Sequence, residues 1–197
     1  MAKSSKQWLR RHVTDPYVRK ARAKGYRSRA AYKLLEIDSR EKLLRPGMVV
    51  LDLGAAPGGW SQVAAEKVNP GGRVVAVDLL PIAPISGVQV IQGDFREAAL
   101  LDGGKADVVL SDLSPNLSGI GNVDQARALE LSGAAIDLCR KTLKPDGVFL
   151  VKAFQGEAFD ELVQRLKRSF SNVKVVKPPA SRGESSETYV VGRGLAA

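Results

Sequence analysis

Seven short apolar runs rich in Val, Ile and Leu, most of them separated by helical stretches, constrain this chain more than any other feature. The runs lie at 48–53, 73–77, 88–91, 107–110, 148–151, 173–176 and 188–191. Helical periodicity occupies 61–68, 123–143 and 157–170, and an earlier helix carries Ala31, Leu34, Leu35, Ile37 and Leu43 until Arg45-Pro46-Gly47 stops it. Asn69-Pro70-Gly71-Gly72 and Lys144-Pro145-Asp146-Gly147 close two of the later helices. Strands apolar throughout and alternating with helices predict a parallel sheet covered on both faces, with ligands at the carboxyl ends of the strands. The segment 178–186 is too short for a crossover helix, so the last two strands should depart from the pattern and pair antiparallel. The expectation is an α/β, Rossmann-like domain with a seven-stranded mixed sheet and helices on both faces. A length of 197 residues with 44% apolar side chains suffices for one core without staples.

Charge divides the chain. Residues 1–29 hold Lys3, Lys6, Arg10, Arg11, Arg19, Lys20, Arg22, Lys24, Arg27 and Arg29 against a single acid, Asp15, and so account for the whole formal charge of +9. The remainder balances. A basic run is often a solvated tail, but Trp8, Tyr17 and Tyr26 stand among these cations. Rings that stack on bases beside cations that neutralise phosphates make a nucleic-acid footprint. Arg10, Arg11, Arg19, Lys20, Arg27 and Arg29 are the expected RNA contacts, and 1–29 is expected to be a basic RNA-binding segment before a single domain at 30–197. A membrane-surface helix would need a continuous apolar face, which Leu9 and Val13 do not supply. A transit peptide would not carry these aromatics into a patterned helix. The lone Cys139 excludes an internal disulfide and points to the cytoplasm. No segment reads as membrane-spanning, and the lone His12 has no metal-ligand partners.

The first strand runs into Val50-Leu51-Asp52-Leu53-Gly54-Ala55-Ala56-Pro57-Gly58-Gly59-Trp60 and then directly into a helix. Glycines let a ligand approach such a turn closely, and the helix start offers free N–H groups. Asp78 ends the second strand, 24 residues after Gly54, where a carboxylate accepts from both ribose hydroxyls of an adenosine. Asp94 ends the third, beside the expected adenine. Taken singly, each acid is equally well a helix cap or a solvated loop residue. The glycine spacing is not G-x-G-x-x-G, and Pro57 removes a donor that a pyrophosphate would need, which argues against NAD. A cationic sulfonium has no phosphates to cradle and tolerates an acidic pocket. Asp52 and Asp112 suit S-adenosylmethionine.

The fourth strand ends in Leu110-Ser111-Asp112, and Lys152 holds the equivalent place in the fifth. A lysine in an apolar central strand is costly unless paired, and Asp112 is its neighbour. Lys33 and Glu187 add a second cation and a second carboxylate. A ribose hydroxyl is a weak nucleophile, so it needs its proton removed or its lone pair aimed at the methyl carbon. Lys152 is the expected base or steering group, held by Asp112, with Lys33 and Glu187 completing the network. A simple buried ion pair remains open as a reading of these charges.

These residues resemble the FtsJ (RrmJ, RlmE) type of ribosomal RNA 2'-O-methyltransferase. The likeness rests on Ser28-Arg29-Ala30-Ala31-Tyr32-Lys33-Leu34, 52–60, Gly93-Asp94-Phe95, 111–116, Val151-Lys152-Ala153-Phe154 and 185–189. It implies the S-adenosylmethionine-dependent methyltransferase fold, a catalytic tetrad at Lys33, Asp112, Lys152 and Glu187, and donor contacts at Gly58, Trp60, Asp78, Asp94 and Asp112. Asp52, Gly54, Pro57 and Gly59 belong to the same expected donor site. It further implies a uridine in the A-loop of 23S rRNA, in the large ribosomal subunit, as substrate. A monomer without membrane or stable protein partners is expected. Two alternatives remain: a 2'-O-methyltransferase of transfer RNA or of a messenger cap, and a non-catalytic RNA-binding assembly factor.

Overall fold

The computed structural model describes residues 15–115, 118–119, 121–181, 183 and 185–196. Trp8, Arg10, Arg11, His12 and Asn116 lie outside them. Helix α1 (Pro16–Ala23) opens the described chain, with Asp15 accepting from Tyr17 N at 2.9 Å and Pro16 in the first turn. It is followed by α2 (Ala30–Glu41), β1 (Val49–Leu53), α3 (Gly59–Val68), β2 (Arg73–Asp78), β3 (Val88–Gln92) and β4 (Ala106–Ser111). Then come α4 (Gly121–Thr142), β5 (Leu143–Phe154), α5 (Glu157–Ser169), β6 (Phe170–Val176) and β7 (Glu187–Leu195).

The seven strands form one sheet in the order β3-β2-β1-β4-β5-β7-β6. Every pair from β3 to β5 is parallel, whereas β7 runs antiparallel to both its neighbours. The antiparallel pairing of the last two strands is as expected. Only β7 is reversed, however: it slots between β5 and β6, and β6 keeps the direction of the parallel set. The Lys144-Pro145-Asp146-Gly147 turn also differs from expectation. It lies within β5, looped out where the register jumps from Ala106↔Leu143 to Val108↔Val148.

Alternation of side chains sorts the strands into two faces. Leu51, Leu53, Val109, Phe149, Val151, Ala153 and Val190 pack under α4 and α5, against Ile136, Cys139, Leu162 and Leu166. Val50, Val108, Leu110, Leu150, Tyr189 and Val191 pack under α2 and α3, against Leu34, Ile37, Trp60 and Val63. By the same alternation Asp52, Lys152 and Glu187 fall on the α2–α3 face. This face therefore carries the charged residues at the carboxyl edge of the sheet.

Residues 15–29 are not an appendage. Val18 and Ala21 are buried, Tyr17 donates to Glu36 at 2.8 Å, and Tyr26 packs on the α2–α3 core while donating to Glu66 at 2.8 Å. Among the described residues, 15–29 pack on the domain across the expected boundary at residue 29, because the apolar positions of this short helix need α2 to cover them.

Candidate active site

A cavity of about 460 Å³ opens at the carboxyl ends of β1, β2, β3 and β4. That volume suits a small molecule. Of the residues expected at a donor site, Gly54, Asp78, Asp94 and Asp112 line it, together with Ala56, Leu79, Leu80, Phe95, Arg96 and Leu113. Gly54 has φ +71°, and a Cβ there would meet Leu113 Cδ2 at 2.8 Å, so both the turn and the close packing demand glycine. Asp78 shapes the walls: its Oδ2 accepts from Ala56 N at 2.9 Å and its Oδ1 from Leu80 N at 2.8 Å. The one guanidinium in the lining, that of Arg96, is tied to Asp94 at 2.5–3.0 Å and holds that carboxyl below its usual pKa range. A lining of three carboxylates and one neutralised arginine fits a cationic ligand and disfavours a pyrophosphate.

Asp52, Pro57, Gly58, Gly59 and Trp60 stand behind the cavity and do not line it. Asp52 is fully buried, with Oδ2 accepting from Ser61 Oγ at 2.6 Å and Oδ1 unpartnered among the described residues. Burial pushes its pKa up to about 7, and Asp112 and Asp78 add to the rise. A buried carboxylate oxygen without a partner, beneath an acidic cavity, is a further feature that a cation above it would relieve. Gly58 caps α3 at φ +108°, where a Cβ would strike Ile85. The side chain of Trp60 lies in the core, so any part it has in a donor site falls to its backbone. Its indole is buried in the α2–α3 core, donates from Nε1 to Ala30 O at 2.8 Å and tilts on Tyr189 at 5.7 Å. The first turn of α3 aims this side chain at α2, away from the cavity.

The four expected catalytic residues do converge. Lys152 Nζ sits 3.1 Å from Asp112 Oδ1 and donates to Asp112 O at 2.7 Å; Lys33 Nζ sits 2.6 Å from Glu187 Oε1. All four are largely or wholly withdrawn from solvent, with side-chain exposures from 7% for Lys152 to 22% for Asp112. Burial would raise the Glu187 carboxyl, but the charges of Lys33 and Lys152 and hydrogen bonds from Lys33 and Tyr189 prevail and hold it below its usual value.

Tyr189 was missed as a site residue, although it stands directly across from Lys152 in the β5–β7 ladder. Its hydroxyl is 3.0 Å from Glu187 Oε1 and 3.4 Å from Asp112 Oδ1, so it links the two ion pairs. One hydroxyl proton cannot serve two carboxylates at once, and the shorter contact is to Glu187. Burial, then Asp112 and Glu187, push this phenol far above its ordinary pKa, which keeps it a donor. In sequence it reads as one more apolar strand position.

The basic segment divides. Arg19 and Lys20 are exposed on α1, Lys20 lying 5.4 Å from the Tyr17 ring. Arg27 and Arg29 are corrections to the expected RNA contacts, since each is engaged within the protein. Arg27 donates to the carbonyls of Pro57, Ala83 and Pro84, and Arg29 binds Asp15 and the carbonyl of Ala180. A guanidinium that has already found carbonyl and carboxylate partners has few donors left for phosphate. Among the described residues no group of acids, Cys or His is arranged to hold a metal ion, and no helix is long and apolar enough to cross a membrane.

The model of the FtsJ-like methyltransferase family matches residues 26–195. A ribosomal RNA large subunit methyltransferase E of Marinobacter nauticus is 51% identical over 201 residues, covering 98% of this chain and 97% of its own length. The protein of the same name from Azoarcus sp. is 53% identical over 200 residues and covers 98% of each chain. Among solved structures, one from Plasmodium falciparum described as a ribosomal RNA methyltransferase superposes with a TM-score of 0.77 at 30% identity, covering 86% of this chain and 98% of its own. Fibrillarin of Aeropyrum pernix, solved with natively bound S-adenosyl-L-methionine, shares the fold at a TM-score of 0.59 and 16% identity, over 85% of this chain and 75% of its own.

Proposed function

The chain belongs to the FtsJ-like methyltransferase family, and from that premise we propose that it transfers a methyl group from S-adenosylmethionine to the ribose 2'-hydroxyl of a uridine in the A-loop of 23S rRNA. The observation that carries the reading is the position of Asp112. Its carboxylate lines the acidic cavity and also holds Lys152, so the donor cavity and the tetrad share a wall.

When bound, S-adenosylmethionine supplies an electrophilic methyl group on a cationic sulfur. Asp78 and Asp94 are placed to bind the adenosine, while Asp112 favours the positive charge. Lys152 has three N–H donors, of which Asp112 occupies two through its carboxylate and its carbonyl. The remaining donor is free to take the ribose oxygen and aim its lone pair. That geometry favours steering by Lys152; in the transfer the carbon–oxygen bond would form as the carbon–sulfur bond breaks, the donor leaving as a neutral thioether and the hydroxyl proton passing to solvent water. Lys33 and Glu187 fix the far side of the cluster and balance its charge. A rigid, water-poor cluster of this kind contributes through orientation and electrostatics.

In this reading the substrate is RNA of the large ribosomal subunit, engaged in the cytoplasm by a monomer without stable protein partners. Arg10, Arg11, Arg19 and Lys20 meet its phosphates. The large-subunit methyltransferases more than half identical over nearly the full length support the substrate class. The test is transfer of radiolabel from S-adenosylmethionine to purified large subunits, free 23S rRNA and transfer RNA, all from cells lacking the enzyme. Label in large subunits or 23S rRNA is the expected result. Label only in transfer RNA would keep the chemistry and overturn the substrate, and donor binding without any label would favour the non-catalytic assembly factor.

A further inference from the structure

The connection between β2 and β3, residues 79–87, carries one rim of the donor cavity through Leu79 and Leu80, both well exposed. It contains no helix or strand. The opposite rim is the loop from Gly54 to Gly58, ahead of α3. A pocket between two irregular segments holds its shape only if something ties one to the other. Asp78 begins that task by accepting from both Ala56 N and Leu80 N, but its reach ends at Leu80.

Arg27 spans the rest. Its Nη1 donates to Pro57 O at 3.2 Å and to Ala83 O at 2.6 Å, and its Nη2 donates to Pro84 O at 2.7 Å. One planar guanidinium therefore joins the two rims from behind. The side chain is itself aimed: Arg27 N donates to Gln62 Oε1 at 2.9 Å, and Gln62 Nε2 donates to Gly25 O at 3.0 Å, which fixes the backbone against α3. Gly58 makes room for this arrangement, because a Cβ there would come within 3.2 Å of Arg27 Nη1.

The geometry points to Arg27 as a positioning residue for the methyl donor: behind the cavity it clamps together the two segments whose other residues wall it, and so ties the basic segment of the chain to the donor site. This rests on the donor reading above. Arg27 does not line the cavity, and acts through Pro57, Ala83 and Pro84. A lysine has a single ammonium and cannot fork between carbonyls on two segments, so it replaces the clamp only in part.

The experiment compares wild type, Arg27→Lys and Arg27→Ala in three measurements. Hydrogen–deuterium exchange of the protein without donor should show faster exchange at residues 79–87 in Arg27→Ala. Calorimetric titration with S-adenosylmethionine should show affinity lower by about tenfold in Arg27→Ala, as expected for loss of charged hydrogen bonds, and by less in Arg27→Lys. In turnover the loss should fall on KM for the donor far more than on kcat, a split that general unfolding would not produce. Unchanged donor affinity in Arg27→Ala, with weakened binding of 23S rRNA, would overturn the proposal and make Arg27 a phosphate contact. Unchanged exchange together with unchanged affinity would overturn it also. Failure of the wild type to bind the donor would instead remove the reading on which the proposal stands, while the exchange data would still report whether the clamp exists.

Discussion

Asp112 faces two ways, toward the acidic cavity and toward Lys152 in the sheet, and each residue of the site can be judged by which side it serves. Lys152 stands on the sheet side, outside the lining of the cavity. Lys152→Ala should lower kcat by about 100-fold or more while leaving donor affinity unchanged, as turnover against donor titration would show. Glu187 serves the charge balance of the cluster. Its folded pKa is depressed, so it adds stability that is fully present above its ordinary value of 4.5 and lost as pH falls through the lower folded value. Chemical denaturation should therefore find Glu187→Gln less stable than wild type at pH 7, with the difference vanishing under more acidic conditions. Asp52 has the opposite sign. Burial raises its folded value to about 7 from 3.8, so it stabilises the fold below that range and ceases to do so as pH rises through 7. A bound cation favours the ionised form. Donor affinity measured by titration should accordingly rise between pH 6 and 8, and Asp52→Asn should flatten the rise.

At the scale of elements, the site is assembled from strand ends and two helix starts, and the sequence shows these unequally. The Gly54–Gly58 loop and the acids after β2 and β3 are legible because turn chemistry and strand ends leave local marks. The arginines are not. In sequence Arg27 and Arg29 read like Arg19, since nothing local says whether a cation meets water or a distant carbonyl. The direction of the Trp60 side chain is illegible for the same reason, as a residue at a helix start can point either to the cavity or to the neighbouring helix. Trp60→Phe tests its reassignment: the lost indole hydrogen bond and volume should cost about 1–3 kcal/mol in denaturation, with donor affinity unchanged. Arg19 and Lys20, exposed on helix α1, keep the proposed RNA role. Neutralising Arg10, Arg11, Arg19 and Lys20 together should weaken RNA binding and flatten its dependence on salt, while calorimetry finds donor affinity intact.

Across the whole molecule, the reversed β7 does what no local pattern announces. By running back between β5 and β6 it sets Tyr189 opposite Lys152 and brings Glu187 beside Phe154 at the edge where Asp112 stands. The parallel half of the sheet was readable because strands buried on both faces are apolar throughout. The place of β7 was not, because the choice of partner is made by tertiary packing and either order satisfies the same pattern. The outcome is a single sheet edge with an acidic cavity over β1, β2, β3 and β4 and a charged cluster over β4, β5 and β7, meeting at Asp112. The central claim is that this meeting point methylates a ribose hydroxyl. The most direct measurement is alkaline hydrolysis of 23S rRNA labelled by the wild-type enzyme, followed by identification of the labelled product. Label in one alkali-resistant dinucleotide carrying a uridine, and absent with Lys152→Ala, is the predicted result; label released in ordinary mononucleotides would place the methyl group on a base and contradict the account.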